Sequence, residues 1–208
     1  MSRVTPQPLA WVQPSGRSCR TALDVPPCTP AHTVFRVESA HGAKVDPDRH
    51  TTYLEEAAFP TSLSLIEVVA KFWGEIKKIA PASELHVIDP YLLDAGGQDP
   101  ATYARNVTAL LKPALAVTKR VVLVYNKPRE GIRELLERDF ELVNKDAGLD
   151  FKKGSQMHGR YIIGDRCRAL RLEFSFNRIG KTFGTVSFVQ DPEDVTGILH
   201  ELERLHPN

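Results

Sequence analysis

Cysteine is scarce in this sequence: Cys19, Cys28 and Cys167 are the only three in 208 residues. The number is odd, and no two of them share metal-ligand spacing. The sequence therefore predicts neither a disulfide framework nor a cysteine metal site, and a reducing cytoplasm is the expected compartment. An excess of charge is also missing, with 27 Lys and Arg against 26 Asp and Glu and a net charge of +1. That excludes a protein that coats nucleic acid through a global positive field. There is no run of roughly 18 apolar residues of the kind that crosses a bilayer. A charged region followed by an apolar one, as in a secretory leader, is not seen at the N-terminus. No amphipathic or aromatic membrane-facing segment stands out, so no membrane partner is expected. What remains is 42% hydrophobic and 25% charged, a composition that buries a core without disulfide or metal staples.

Proline is unevenly spread. Pro6, Pro8, Pro14, Pro26, Pro27 and Pro30 crowd the first 31 residues among Ser, Thr, Gln and Gly. Such density disfavours helix and interior strand alike. Residues 1–59 are read as an irregular N-terminal arm and lead-in, with a short strand possible over 33–37, and 60–208 as one α/β domain. The arm is also a candidate surface for a protein partner.

Regular structure is expected from near Thr61. Leu65, Val69, Phe72, Ile76 and Ile79 recur at helical spacing, with Ile66 and Trp73 alongside, Thr61 or Ser62 as cap and Pro81 as stop. Leu85 to Ile88 reads as a buried strand ended by Asp89-Pro90. Asp99-Pro100 opens a second helix running through Leu111. Arg120 to Tyr125 is the clearest strand. Pro128 is expected to start a third helix that ends near Gly148. Strands follow at 151–152, 160–163, 169–174 and 184–189, and Asp191-Pro192 caps a last helix. Strands separated by helical crossovers predict an α/β fold, a mixed sheet flanked by helices. Such folds place their chemistry at strand ends.

The stretch richest in chemistry is Met157-His158-Gly159-Arg160-Tyr161-Ile162-Ile163-Gly164-Asp165. If it is a strand, His158 and Arg160 share one face, because side chains repeat every two residues. Asp165 is at odd spacing from His158 and is better suited to tying down a turn. Ser175 and Asn177 are again two apart, and Gly180-Lys181 follows. Imidazole, guanidinium, hydroxyl, amide and ammonium groups in one pocket suit a phosphodiester. A neutral imidazole can attack phosphorus, while Arg160 and Lys181 offset charge on the equatorial oxygens. No acidic cluster suited to magnesium is evident, so a route without metal or other cofactor is expected. Asp89 and Tyr91, at a strand's carboxyl end, are further candidates for the same pocket.

His158-x-Arg160-x4-Asp165 followed by Ser175-x-Asn177 resembles the signature of the phospholipase D superfamily, H-x-K-x4-D then G-S-x-N. Val87-Ile88-Asp89-Pro90-Tyr91 is similar to the strand and turn of small defence- or toxin-associated members. The segment from Ser175 to Gly180-Lys181 resembles theirs as well. The resemblance spans roughly residues 60–206. It implies a phospholipase D-like half and a phosphodiesterase, a nuclease acting on DNA or RNA. By the same resemblance His158 is the nucleophile, Arg160 holds phosphate oxygens in place of lysine, and Ser175 and Asn177 complete the phosphate site. Asp165 closes the catalytic motif and supports the strand end. The family's active site needs two such motifs and this chain carries one, so a homodimer is implied, with a second histidine as general acid.

Arg160 for lysine and Phe174 for glycine depart from the pattern. They favour an alternative, a catalytically silent module of the same kind that binds nucleic acid or a protein partner. Several other features have bland readings. His86 sits inside an apolar strand as a core histidine, and His200 and His206 lie on the last helix. The basic residues Lys152, Lys153, Arg166, Arg168, Arg171 and Arg178 surround the motif in sequence, and a local basic patch is expected from them.

Overall fold

The structure, a computed structural model, describes residues 56–154, 157–189 and 191–205. Seven strands among them form one mixed sheet: β1 (Glu56–Phe59), β2 (Glu84–Ile88), β3 (Arg120–Tyr125), β4 (Gly148–Lys153), β5 (Tyr161–Gly164), β6 (Arg168–Leu172) and β7 (Gly184–Val189). Their spatial order is β1-β7-β6-β5-β2-β3-β4. The β2-β3-β4 half is parallel and the β5-β6-β7-β1 half antiparallel, joined where β2 pairs antiparallel with β5. Helix α1 (Leu65–Ile76) links β1 to β2, α2 (Pro100–Leu115) and α3 (Ile132–Glu141) make the crossovers of the parallel half, and α4 (Pro192–Leu205) follows β7.

The period-two alternation of the strands sorts the core into two layers. Leu85, Val87, Val121, Leu123, Ile162 and Leu170 face α1, α2 and α3, where they meet Phe72, Val107, Leu111 and Phe140. Ile88, Val122, Val124, Ile163 and Ala169 face the opposite way, onto Val195, Leu199 and Leu202 of α4. Each such aliphatic side chain contributes about 1.5–3 kcal/mol on full burial. Val121–Val124 of β3 form a continuous buried apolar run because both faces of the sheet are covered there.

The structure moves several boundaries. The first helix is capped by Ser64 rather than Thr61 or Ser62. Ser64 Oγ accepts from the Glu67 N–H, and Glu67 Oε2 accepts from the Ser64 N–H at 2.8 Å, a reciprocal capping box. The buried stripe of α1 is Val68, Phe72 and Ile76, while Leu65 and Ile66 are 54% and 77% exposed. The third helix starts at Ile132, after Gly131 at φ +78°, and stops at Glu141 instead of near Gly148. Gly148 opens β4, its N–H bound to Lys119 O at 2.9 Å. The last four residues of the expected irregular arm are strand β1, which pairs with β7 at the sheet edge. The rest of the arm, the strand at 33–37, His206 and the partner surface over residues 1–55 lie outside the described residues.

Candidate active site

The carboxyl ends of β2 and β3 open toward the segment that follows β6, and Asp89 is the hub between them. Its backbone N–H continues the sheet, donating to Val124 O at 3.1 Å. Its side chain is 1% exposed. Oδ1 accepts the Tyr91 N–H at 2.9 Å, the Asx turn that Asp-Pro-Tyr is suited to form. Oδ2 accepts the Ser175 hydroxyl at 2.5 Å and the Phe176 N–H at 2.9 Å. Burial pushes the Asp89 carboxyl above its usual range, against the hydrogen bonds from Ser175, Tyr91 and Phe176 and the charge of Arg160.

Arg160 completes the cluster. Its Nε lies 3.7 Å from Asp89 Oδ1, and the guanidinium sits over the Tyr91 ring, 5.9 Å from the centroid. That Nε is buried without a hydrogen-bond partner, so the attraction to Asp89 is ionic and the ring stacking is a cation–π contact. Arg160 precedes β5, and its carbonyl accepts the Leu172 N–H at 2.9 Å, which extends the β5–β6 pairing by one residue.

Asn177 stands on the short 3-10 turn Phe176–Arg178. Its Nδ2 donates to Asp94 O at 2.9 Å, and its carbonyl accepts from Gln98 Nε2 at 3.1 Å. The chain passes so close at Gly96 that a Cβ there would lie 3.0 Å from Asn177 Nδ2, and Gly96 also holds φ +58°. Asp94 Oδ1 takes the Gly96 N–H and the Arg129 Nε, each at 2.9 Å.

These groups line an open cavity of about 600 Å³. Tyr91, Arg160, Ser175 and Asn177 of the sequence candidates contribute to its wall. Arg129, Arg178, Asp94 and Glu173 bring further charge to it, and Phe183, 66% exposed, stands at its margin. Phe174 lines the cavity too, but its ring turns into the core against Phe59, centroids 5.5 Å apart. Asp89 lies beneath the wall, holding Ser175 and Arg160.

Three candidates stand elsewhere. His158 is exposed, precedes the first residue of β5 by three positions, and is not part of the cavity wall. The single strand face expected to carry both His158 and Arg160 therefore does not exist, since the strand begins only at Tyr161. Lys181 is exposed just past the turn, its N–H on Arg178 O, and its side chain does not line the cavity. Asp165 lies at the other end of β5. Its Oδ1 accepts the Ser83 and Glu84 N–H groups at 2.7 and 3.1 Å, before β2, and Oδ2 meets Arg168 at 3.5 Å. Arg166 pairs there with Glu203 of α4. Of the basic residues around the motif, Arg166 and Arg168 stand at the Asp165 end of β5, whereas Arg178 lines the cavity.

Sequence reasoning missed Asp94, Gly96 and Arg129. The rule that ligands gather beyond the carboxyl ends of parallel strands could have found Arg129, which follows the clearest strand. The Gly96-Gly97 pair after Asp94 was a turn signal left unread.

Among the described residues no cluster of three or more His, Cys, Asp or Glu could hold a metal ion. No helix among them is long and apolar enough to cross a membrane. Among solved structures, the chain is similar to NucT from Helicobacter pylori (TM-score 0.46, 10% identity, 73% of this chain and 95% of that one). It is similar to Nuc from Salmonella typhimurium, a phospholipase D family member (TM-score 0.43, 12% identity, 73% and 91%). A third similar structure is TrmBL2, an archaeal chromatin protein (TM-score 0.41, 7% identity, 77% and 54%). No protein-family model and no curated protein matches the chain.

Proposed function

We propose that the chain is a phospholipase D-like phosphodiesterase, a nuclease that works through a phosphohistidine at His158 in a homodimer. The observation that carries this reading is the convergence of Arg160, Ser175 and Asn177 on one cavity, with His158 only two residues from Arg160. A phosphodiester in the cavity has its oxygens held by Arg160, with Arg129 and Arg178 near enough to offset further charge. His158 attacks phosphorus, forming the N–P bond as the bond to the leaving oxygen breaks. The leaving oxygen takes a proton from His158 of the partner subunit. Water then displaces His158 from phosphorus, giving its proton back to that second histidine. The exposure of His158 suits it to meet a second copy across a shared site. Nucleic acid, DNA or RNA, is the substrate class that this reading favours.

A second reading has its own observation. His158 stands outside the cavity wall, and a binding module without turnover needs only the cavity. Nuclease activity in EDTA, measured with sedimentation on the wild type and on His158→Ala, separates the two. A dimer whose activity falls by at least about 10³-fold on substitution supports the phosphohistidine. Activity that survives His158→Ala overturns the phosphohistidine at that residue, and an inactive monomer that still binds nucleic acid favours the module.

A further inference from the structure

The cavity floor spends its hydrogen-bond donors on one buried carboxylate. The Ser175 hydroxyl has a single proton, and it points at Asp89 Oδ2. The Phe176 and Tyr91 N–H groups point at the same carboxylate. Ser175 lines the cavity, yet in this state it presents only lone pairs to it. An anion seated beside Arg160 therefore meets a hydroxyl oxygen instead of a hydroxyl proton, and brings a second negative charge close to Asp89.

We propose that Asp89 and Ser175 form a proton-coupled latch, in which binding of an anion in the cavity takes up one proton onto the Asp89–Ser175 pair. Ser175 passes its own proton to Asp89 Oδ2 and receives on Oγ one taken from the solvent buffer, relayed through cavity water that is left neutral. Asp89 becomes a neutral carboxyl whose O–H donates to Ser175, and the Ser175 O–H turns to the anion. One O–H bond forms at Asp89 Oδ2, one breaks and one forms at Ser175 Oγ, and one proton enters from solvent. Protonated Oδ2 keeps a lone pair for the Phe176 N–H, and Oδ1 keeps the Tyr91 N–H, so the loops stay in place. The like-charge argument supplies the direction, because an anion nearby disfavours a charged carboxylate. Burial already holds the Asp89 carboxyl above its usual range.

The charged and titratable groups facing Asp89 are few. Arg160 precedes β5 and opposes protonation. Tyr91 covers the guanidinium. Tyr103 of α2 is buried, with its hydroxyl on Leu92 O, and burial holds it well above the ordinary range of a phenol, so it stays neutral. Asp94 is paired to Arg129. Coupling is reciprocal: protons strengthen anion binding by the factor by which the anion favours protonation.

This rests on reading the cavity as a phosphate site, and sulfate, which does not titrate near neutral pH, probes it without turnover. Calorimetric titration of the full chain with sulfate, in buffers of different ionisation heat, counts protons. About one proton taken up per sulfate bound, and near none in Ser175→Ala, is the expected result. Over the pH range in which that proton is taken up, affinity should weaken about tenfold per unit rise in pH. Infrared difference spectra on adding sulfate should gain a protonated-carboxyl band, lost in Asp89→Ala, which keeps the test open if Ser175→Ala binds too weakly to titrate. Sulfate binding without proton uptake, or uptake unchanged in Ser175→Ala, overturns the latch and leaves the phosphodiesterase reading standing. Absence of sulfate binding overturns both.

Discussion

Asp89 and Asp165 bracket strand β2 at opposite ends. Asp89 follows its last residue and gathers Ser175, Phe176 and Tyr91, whereas Asp165 binds the N–H groups of Ser83 and Glu84 at its start. The register places Leu85 opposite Gly164 and Ile88 opposite Tyr161. The length of the strand thus separates the acid of the sequence motif from the cavity. Asp165 works as a brace for the β5–β6 hairpin and the entry to β2.

Asp165→Ala should therefore act on stability. It removes the acceptor of two backbone N–H groups, one exposed and one part-buried, and a hydrogen bond of this kind contributes about 0.5–1.5 kcal/mol. Chemical denaturation should show a lower midpoint with an unchanged slope. The sulfate affinity of the folded protein should remain that of the wild type. A loss of anion binding without a loss of stability would place Asp165 in the site after all.

A second pair explains a proline inside a helix. Pro113 lies within α2 and has no N–H to give to Ala109 O, four residues before it. That carbonyl instead accepts the indole N–H of Trp73, on α1, at 2.8 Å. Trp73→Phe leaves the carbonyl unpaired and should cost about 1–3 kcal/mol. Pro113→Ala restores the helical donor, so the double variant should recover most of that loss. A double-mutant cycle by urea denaturation measures the coupling, and strictly additive single effects would show that Trp73 does not serve this carbonyl.

Much of this architecture was legible in the sequence, and the exceptions share a cause. β2 and β3 read as continuous apolar runs because both faces of the parallel half are covered. Asp99-Pro100 announced α2 because cap and first turn are local chemistry. The face of α1 was not legible, since Leu65-Val69-Phe72-Ile76 and Val68-Phe72-Ile76 are both helical stripes. Packing against the sheet, which decides between them, is not a property of the segment. β1 was hidden for the same reason: four residues become a strand only because β7 offers an edge. In the cavity, Ser175, Asn177 and Arg160 were visible as a motif. Asp94 and Arg129 were not, because the folds of the β2–α2 and β3–α3 loops bring them there.

Gly96 tests that tertiary half of the site. Gly96→Ala forces an L residue to φ +58° and presses a Cβ against Asn177 Nδ2. The backbone term costs about 1–2 kcal/mol. The Asn177 side chain has to shift from its bond to Asp94 O. Sulfate affinity should drop together with stability. Gly97→Ala, with open space around it at φ +86°, should lower stability alone. Equal effects of the two on anion binding would mean that the approach of Gly96 to Asn177 does not shape the cavity.

His86 sets the response of the fold to acid. It is buried on the α4 side of β2, Nε2 lies 3.2 Å from Glu84 Oε1, and Nδ1 has no hydrogen-bond partner. Burial holds its pKa below the usual 6.5, opposed by Glu84 and helped by Arg166, Arg120 and Lys152. A base whose folded value is depressed binds its proton more readily when unfolded. Above pH 6.5 both states are neutral and His86 is silent, and as pH falls through 6.5 the unfolded chain gains protons first, so stability declines. Asp89 works the other way, since its folded value is raised above 3.8 and acid favours its native form. The two can be separated by substitution. His86→Leu removes the histidine and keeps an apolar group against α4, so its thermal midpoint should fall less steeply than that of the wild type as pH drops below 6.5. Parallel midpoint curves for the two proteins across that range would assign the acid sensitivity to another group.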